Sequence, residues 1–178
     1  MPAAEEGRAV EAPAFEAKIR DPRQLERWLG ALERPLVFTN GVFDILHRGH
    51  VTYLARARAL GASLLVALNG DASARRLGKP GERPVNPLAD RLAVLAALEA
   101  VSAVTWFDED TPAALIAATR PDVLVKGGDW PVERIVGAEQ VLSRGGRVLS
   151  IAFEHPSSTT ALLERIRGAG GFGGKLGP

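Results

Sequence analysis

Residues 36–50 read LVFTNGVFDILHRGH and join a short apolar run to a polar turn and a pair of histidines. Leu36, Val37 and Phe38 carry the aliphatic and aromatic bias of a buried strand. Thr39-Asn40-Gly41 can turn the chain, and Arg48 to Leu60 is helix-forming. His47 and His50 are three apart, so a helical first turn puts both rings on one face. Gly49 between them has no side chain to hold a ligand off the backbone. A helix start offers N–H groups and the positive end of the dipole, and imidazoles add donors, so this pattern suits the phosphates of a nucleoside triphosphate. The same pair could be purely structural, or could bind zinc. Zinc is disfavoured because the chain has no cysteine and only one other histidine, His155, far along the sequence.

Beyond this stretch, short apolar runs alternate with helix-forming stretches. Strands are predicted near 36–40, 63–68, 103–107, 122–126 and 147–152, and helices near 48–60, 88–99, 111–118, 132–144 and 159–167. Runs such as LLVAL and VLV, apolar at every position, indicate parallel strands covered on both faces. The expected architecture is therefore a single Rossmann-like α/β domain, a doubly wound, five-stranded parallel sheet. An N-terminal helix opens at Asp21-Pro22 and continues through Leu25, Trp28, Leu29 and Leu32. Residues 1 to about 20 and the glycine-rich stretch 168–178 are expected to be flexible, leaving 21–167 as the functional domain. The first strand runs into NGVFD and not into a triple-glycine turn, which argues against a dinucleotide site.

On this scheme the polar clusters fall at strand C-terminal ends: Asn40 to His50, Asn69-Gly70-Asp71, Lys126 to Trp130 and Ser157 to Thr160. In an open parallel sheet those ends border one crevice, where such folds bind ligands. Ser157, Ser158, Thr159 and Thr160 stand at a helix start; one hydroxyl would suffice as a cap, and four are better explained as donors to phosphates. Among the basic residues of 75–91, Arg75 and Arg76 fit simple solvation. Lys79 lies in a Gly-Lys-Pro-Gly loop able to close over phosphate, and Arg91 in the first turn of a helix aimed at the crevice. Lys126 and Asp129 flank two glycines at a strand end, which a turn alone does not require. Asp44 could bond sugar hydroxyls, help hold Mg²⁺, or cap the helix after it.

NGVFDILHRGH resembles the signature of the nucleotidyltransferases that carry a His-x-Gly-His motif, and RLGKPGERPVNPLADR, DVLVKGGDW and FEHPSSTTALLERIR make the chain most similar to their heptose 1-phosphate adenylyltransferases. The resemblance runs from about Asp21 to Arg167. It implies catalytic roles for His47, His50, Lys79 and Arg91, the last two as phosphate contacts with Arg83 as a third. It implies nucleotide contacts by Thr39, Asn40, Gly41, Phe43, Gly49, Lys126, Gly127 and the 157–160 hydroxyls. Asp44, Asn69, Arg83, Asp129 and Trp130 are then expected on the acceptor side. It further implies transfer of AMP from ATP to D-glycero-β-D-manno-heptose 1-phosphate, for lipopolysaccharide precursor synthesis. Mg²⁺ would arrive with the triphosphate, a homodimer is possible, and a separate kinase is expected upstream of this stand-alone chain.

Composition narrows the alternatives. A chain of 178 residues can bury roughly 70% of its unfolded surface and needs no disulfide staple. Its 22 basic residues against 21 acidic give a net charge of +1, with no basic excess for nucleic acid or an anionic membrane. The first residues, MPAAEEGRAVEAP, lack the apolar segment of a signal peptide, and no apolar run approaches the ~20 residues of a membrane span, so a cytoplasmic protein is expected. No metal cage and no Ser–His–Asp relay are evident. Rival functions are a cytidylyltransferase of glycerol 3-phosphate or a similar ester, a remnant of a class I aminoacyl-tRNA synthetase, and a non-catalytic nucleotide sensor.

Overall fold

A computed structural model describes residues 11–78, 83–154 and 159–168. Five parallel strands, β1 (Leu36–Gly41), β2 (Ser63–Asn69), β3 (Ala103–Phe107), β4 (Val123–Gly127) and β5 (Arg147–Ile151), form one sheet in the order β3-β2-β1-β4-β5. The α-helices are α1 (Leu25–Trp28), α2 (Arg48–Arg58), α3 (Asp71–Arg76), α4 (Leu88–Ala96), α5 (Ala113–Thr119), α6 (Ala138–Leu142) and α7 (Thr159–Gly168). The expected Rossmann-like sheet is thus present, with strand limits within a residue or so of those predicted.

Successive strand residues pass to opposite faces. Val37, Leu64, Val66 and Leu68 pack with Tyr53, Leu54 and Ala57 of α2 and Leu92 and Leu95 of α4. Leu36, Phe38, Leu65 and Ala67 pack with Leu115 and Ile116 of α5, Val141 of α6 and Trp28. Both faces are sealed, which is why β2 is apolar from end to end apart from its terminal Ser63 and Asn69.

Three local expectations are corrected. The N-terminal helix is broken into 3₁₀ turns at Pro22–Gln24 and Leu29–Ala31 around the short α1, with Trp28 buried and its Nε1 donating to Asp21 O at 2.8 Å. The helix expected over 132–144 is a 3₁₀ turn, Val132–Arg134, followed by α6, because Gly137 takes a left-handed conformation (φ 85°) against Ile116. Part of the segment expected to be flexible is docked: Ile19 bridges Val104, Arg20 N donates to Val104 O at 2.8 Å, and Phe15 and Ile19 pack on the core.

Candidate active site

The chain leaves β1 toward β2 and β3 on one side of the sheet, whereas β4 and β5 lie on the other. The C-terminal ends of the neighbours β1 and β4 therefore diverge into a crevice of about 340 Å³, bordered by Asn40 and Gly41 from one and Lys126 and Gly127 from the other. Lys126 Nζ reaches across to Asn40 Oδ1 at 3.5 Å.

The start of α2 faces this crevice. His47, the N-cap residue, is extended (φ −144°, ψ 171°) and makes no side-chain cap, so among the described residues the N–H groups of Arg48 and Gly49, ahead of the His50 N–H that bonds His47 O, are open to an incoming acceptor. The His47 and His50 rings stack with centroids 3.9 Å apart and planes 29° apart. Burial lowers the pKa of His47, whose Nδ1 is sealed from water without a hydrogen-bond partner among the described residues. The ring is neutral at pH 7 and has one N–H to give. Since the unfolded His47 would still titrate near its ordinary 6.5, the unfolded chain binds more protons below that pH, and native stability falls as pH drops through 6.5 toward the lowered value. His47→Gln should flatten that part of a stability-against-pH curve measured by urea unfolding; an unchanged slope would assign it to other groups.

Aromatic side chains set the ring positions. Phe43 holds φ 48°, a left-handed conformation that costs a non-glycine residue roughly 1–2 kcal/mol. That backbone folds its ring under Gly41, where an added Cβ would lie 3.0 Å from Phe43 Cε2. The ring then meets His50 edge-on at 5.4 Å, and Phe153 approaches His50 edge-on at 6.1 Å. Gly127 is needed for the same reason: a Cβ there would stand 2.7 Å from Phe153 Cζ. Tyr53, one turn beyond His50 on α2, also lines the crevice; its hydroxyl is 2.5 Å from that of Thr39 and donates to Val125 O at 3.3 Å. Burial pushes the Tyr53 phenol well above its usual range, so it is neutral.

Asp44 is 6% exposed, and its carboxylate accepts from Arg83 Nη1 (3.1 Å), Val85 N (2.8 Å) and Asn86 N (3.0 Å). It pins the 83–86 loop to the crevice wall, and the expected cap of the following helix is not made by it, since the N-cap of α2 is His47. Arg83 continues to Thr160 Oγ1 at 3.5 Å, and Thr159 Oγ1 donates to Ile45 O at 3.2 Å, so the start of α7 is tied to the same wall.

Of the residues predicted for the site, Asn40, Gly41, Phe43, Asp44, His47, His50, Arg83, Lys126, Gly127, Thr159 and Thr160 line the crevice, and Gly49 is buried in the first turn of α2. Others are not brought there. Arg91 is fully buried and donates to Asn86 O, Val42 O, Asn69 O and Asp71 Oδ1. Asn69 donates its amide to Ser73 Oγ at 3.0 Å, and the Thr39 hydroxyl is turned to Tyr53 under the α2 face. Asp129 and Trp130 are exposed outside the lining, with Trp130 Nε1 returning to Gly127 O at 3.2 Å. Lys79, Ser157 and Ser158 lie outside the described residues. Sequence reading missed Tyr53, although its spacing of three from His50 was a usable signal, and gave Phe153 no role in the site.

The donor set does not form a resident metal cage: among the described residues no group of three or more His, Asp or Glu could hold an ion, and the Asp44 carboxylate is committed to the 83–86 loop. No helix among the described residues is long and apolar enough to cross a membrane.

The cytidylyltransferase-like family matches residues 38–165, which include every residue named above as lining the crevice. A D-beta-D-heptose 1-phosphate adenylyltransferase of Bordetella bronchiseptica is 56% identical over 155 residues, 86% of this chain and 96% of that one. The bifunctional protein HldE of Citrobacter koseri is 58% identical over 132 residues, and this chain spans 28% of its length. A solved lipopolysaccharide core biosynthesis protein of Thermoplasma volcanium superposes with a TM-score of 0.55 at 29% identity, covering 68% of this chain and 98% of that one.

Proposed function

Because the chain belongs to the cytidylyltransferase-like family, we propose that it transfers AMP from ATP to D-glycero-β-D-manno-heptose 1-phosphate, giving ADP-heptose and pyrophosphate for the lipopolysaccharide core. The stacked histidine pair at the uncapped start of α2, set between the ends of β1 and β4, carries the reaction type. The choice of nucleotide and sugar rests on the 56% identity to a heptose 1-phosphate adenylyltransferase over nearly its whole length.

A phosphate oxygen of the sugar 1-phosphate attacks the α-phosphorus of ATP in line; the bond from that phosphorus to the bridging oxygen of the β-phosphate breaks, and pyrophosphate leaves with the electron pair. The attacking phosphate is anionic at pH 7, so no general base is required. What the site supplies is position and charge. His47 and His50 donate to α- and β-phosphate oxygens as charge builds, with the first N–H groups of α2 beside them. Arg83 and the start of α7 hold the leaving pyrophosphate, and Lys126 neutralises the group entering from the β4 side. Mg²⁺ would come bound through the triphosphate and water, where it offsets phosphate charge. A reaction that consumes ATP belongs in the cytoplasm.

A matrix of ATP, CTP and GTP against heptose 1-phosphate and glycerol 3-phosphate, read as pyrophosphate release, tests this. ATP with heptose 1-phosphate should be the fastest pair. Release from CTP and glycerol 3-phosphate, with none from ATP, would replace the assignment by a cytidylyltransferase, and ATP binding in a calorimeter without any product would replace it by a sensor.

A further inference from the structure

We infer that Arg91, which is not among the residues lining the crevice, is a positioning residue that sets the orientation of His50 through the Val42–Phe43 peptide. The inference rests on the adenylyl-transfer reading for its kinetic part and on geometry alone for the rest.

Arg91 is 2% exposed, at the beginning of α4 and beneath the crevice floor. Four of its five N–H groups are placed. Nε donates to Asn86 O at 3.0 Å, Nη1 to both Val42 O (2.8 Å) and Asn69 O (2.9 Å), and Nη2 to Asp71 Oδ1 (2.6 Å). One planar fork thereby joins the turn after β1, the end of β2, the first residue of α3 and the loop before α4.

The bond to Val42 O links it to the histidines. That carbonyl belongs to the peptide whose nitrogen is Phe43 N, so the direction in which it points and the left-handed φ of Phe43 are one geometric choice. Turning the peptide to an ordinary negative φ would swing the carbonyl off Nη1. With the carbonyl held, the Phe43 ring lies under Gly41 and presents its edge to His50, which stacks on His47. Gly41 leaves the room, Arg91 fixes the peptide, and Phe43 transmits the setting to the imidazole. Lysine at 91 would keep the charge that faces Asp71 but, as a single ammonium, could not reach Val42, Asn69 and Asn86 together.

Arg91→Lys tests this with two readouts. In adenylyl transfer kcat should fall by up to about 10²-fold, the loss expected of misplacing a catalytic group by roughly 1 Å, while the KM for ATP stays within about threefold. In NMR spectra of the ligand-free folded protein the His50 ring resonances should move, because the ring current of Phe43 no longer bears on them in the same way. A rise in the KM for ATP at constant kcat would overturn the inference, since it marks direct phosphate contact. Unmoved His50 resonances in a folded Arg91→Lys protein would overturn it too. Should that variant not fold, Asp71→Asn, which loosens the fork from its half-buried end, is expected to shift the His50 resonances in the same way, and a silent spectrum there counts against the proposal. Failure of the wild-type protein to make any nucleotide-sugar would defeat the functional reading and leave the NMR result standing.

Discussion

His50→Ala should lower turnover about 10²–10³-fold, the usual consequence of removing one preorganised donor from a developing charge. The expectation follows from the place of the ring: stacked on His47, held by the edge of Phe43, and three residues into the helix whose start faces the crevice. If its N–H is engaged mainly in the transition state, kcat and kcat/KM fall together, whereas a ground-state phosphate ligand would raise KM alone. Stability should change little, because the ring is only partly buried and meets the core at the edge of Phe43 alone among the core residues whose ring contacts are described. A loss near 1 kcal/mol corresponds to about 2–4 °C in the melting temperature of a chain this size. Steady-state pyrophosphate release and differential scanning calorimetry on the same preparation separate the two effects. Turnover equal to wild type would remove the imidazole from the chemistry.

How far the sequence anticipates this site depends on whether a residue's role is set locally. The five strands were legible because a strand buried on both faces must be apolar at every position, and the histidine face because three residues of helix fix it whatever the rest of the chain does. The fate of polar side chains at strand ends was not local. Thr39 shares the face of Val37 in β1, but the partner its hydroxyl finds there, Tyr53, is supplied by α2 and is not named by strand alternation. Asp44 was read as ligand, metal holder or helix cap, but its partners come from residues 83–86, a contact that no spacing near 44 can announce. Arg91 did carry a signal. Leu88, Leu92 and Leu95 mark the inward stripe of α4, and position 91, three after Leu88 and four before Leu95, lies on it. An arginine on an apolar stripe is buried and must find acceptors, and the helix direction drew attention to the crevice when the periodicity pointed beneath it.

Arg91→Met should therefore cost about 3–5 kcal/mol of folding stability, the range seen when one partner of a buried ion pair is removed. The larger share comes from the carbonyls and not from Asp71. Asp71 keeps about a third of its side chain in solvent and can rehydrate when its partner is lost. The carbonyls of Val42, Asn69 and Asn86 would lose a charged donor under the crevice floor, at about 1–3 kcal/mol for each that finds no replacement. Methionine roughly matches the aliphatic part of arginine, so a cavity adds little. Set against the 5–15 kcal/mol that holds most domains folded, such a loss consumes a large fraction of the total. Urea unfolding should show a lower midpoint at an unchanged slope, as for a protein that has lost stability without changing the surface it exposes. Adding Asp71→Asn to Arg91→Met separates the two shares: if the carbonyls dominate, the double variant recovers less than about 1 kcal/mol, and if the orphaned carboxylate dominates it recovers most of the loss. A single-variant cost below about 1 kcal/mol would mean that water replaces the guanidinium, and that the four segments meeting at Arg91 hold together without it.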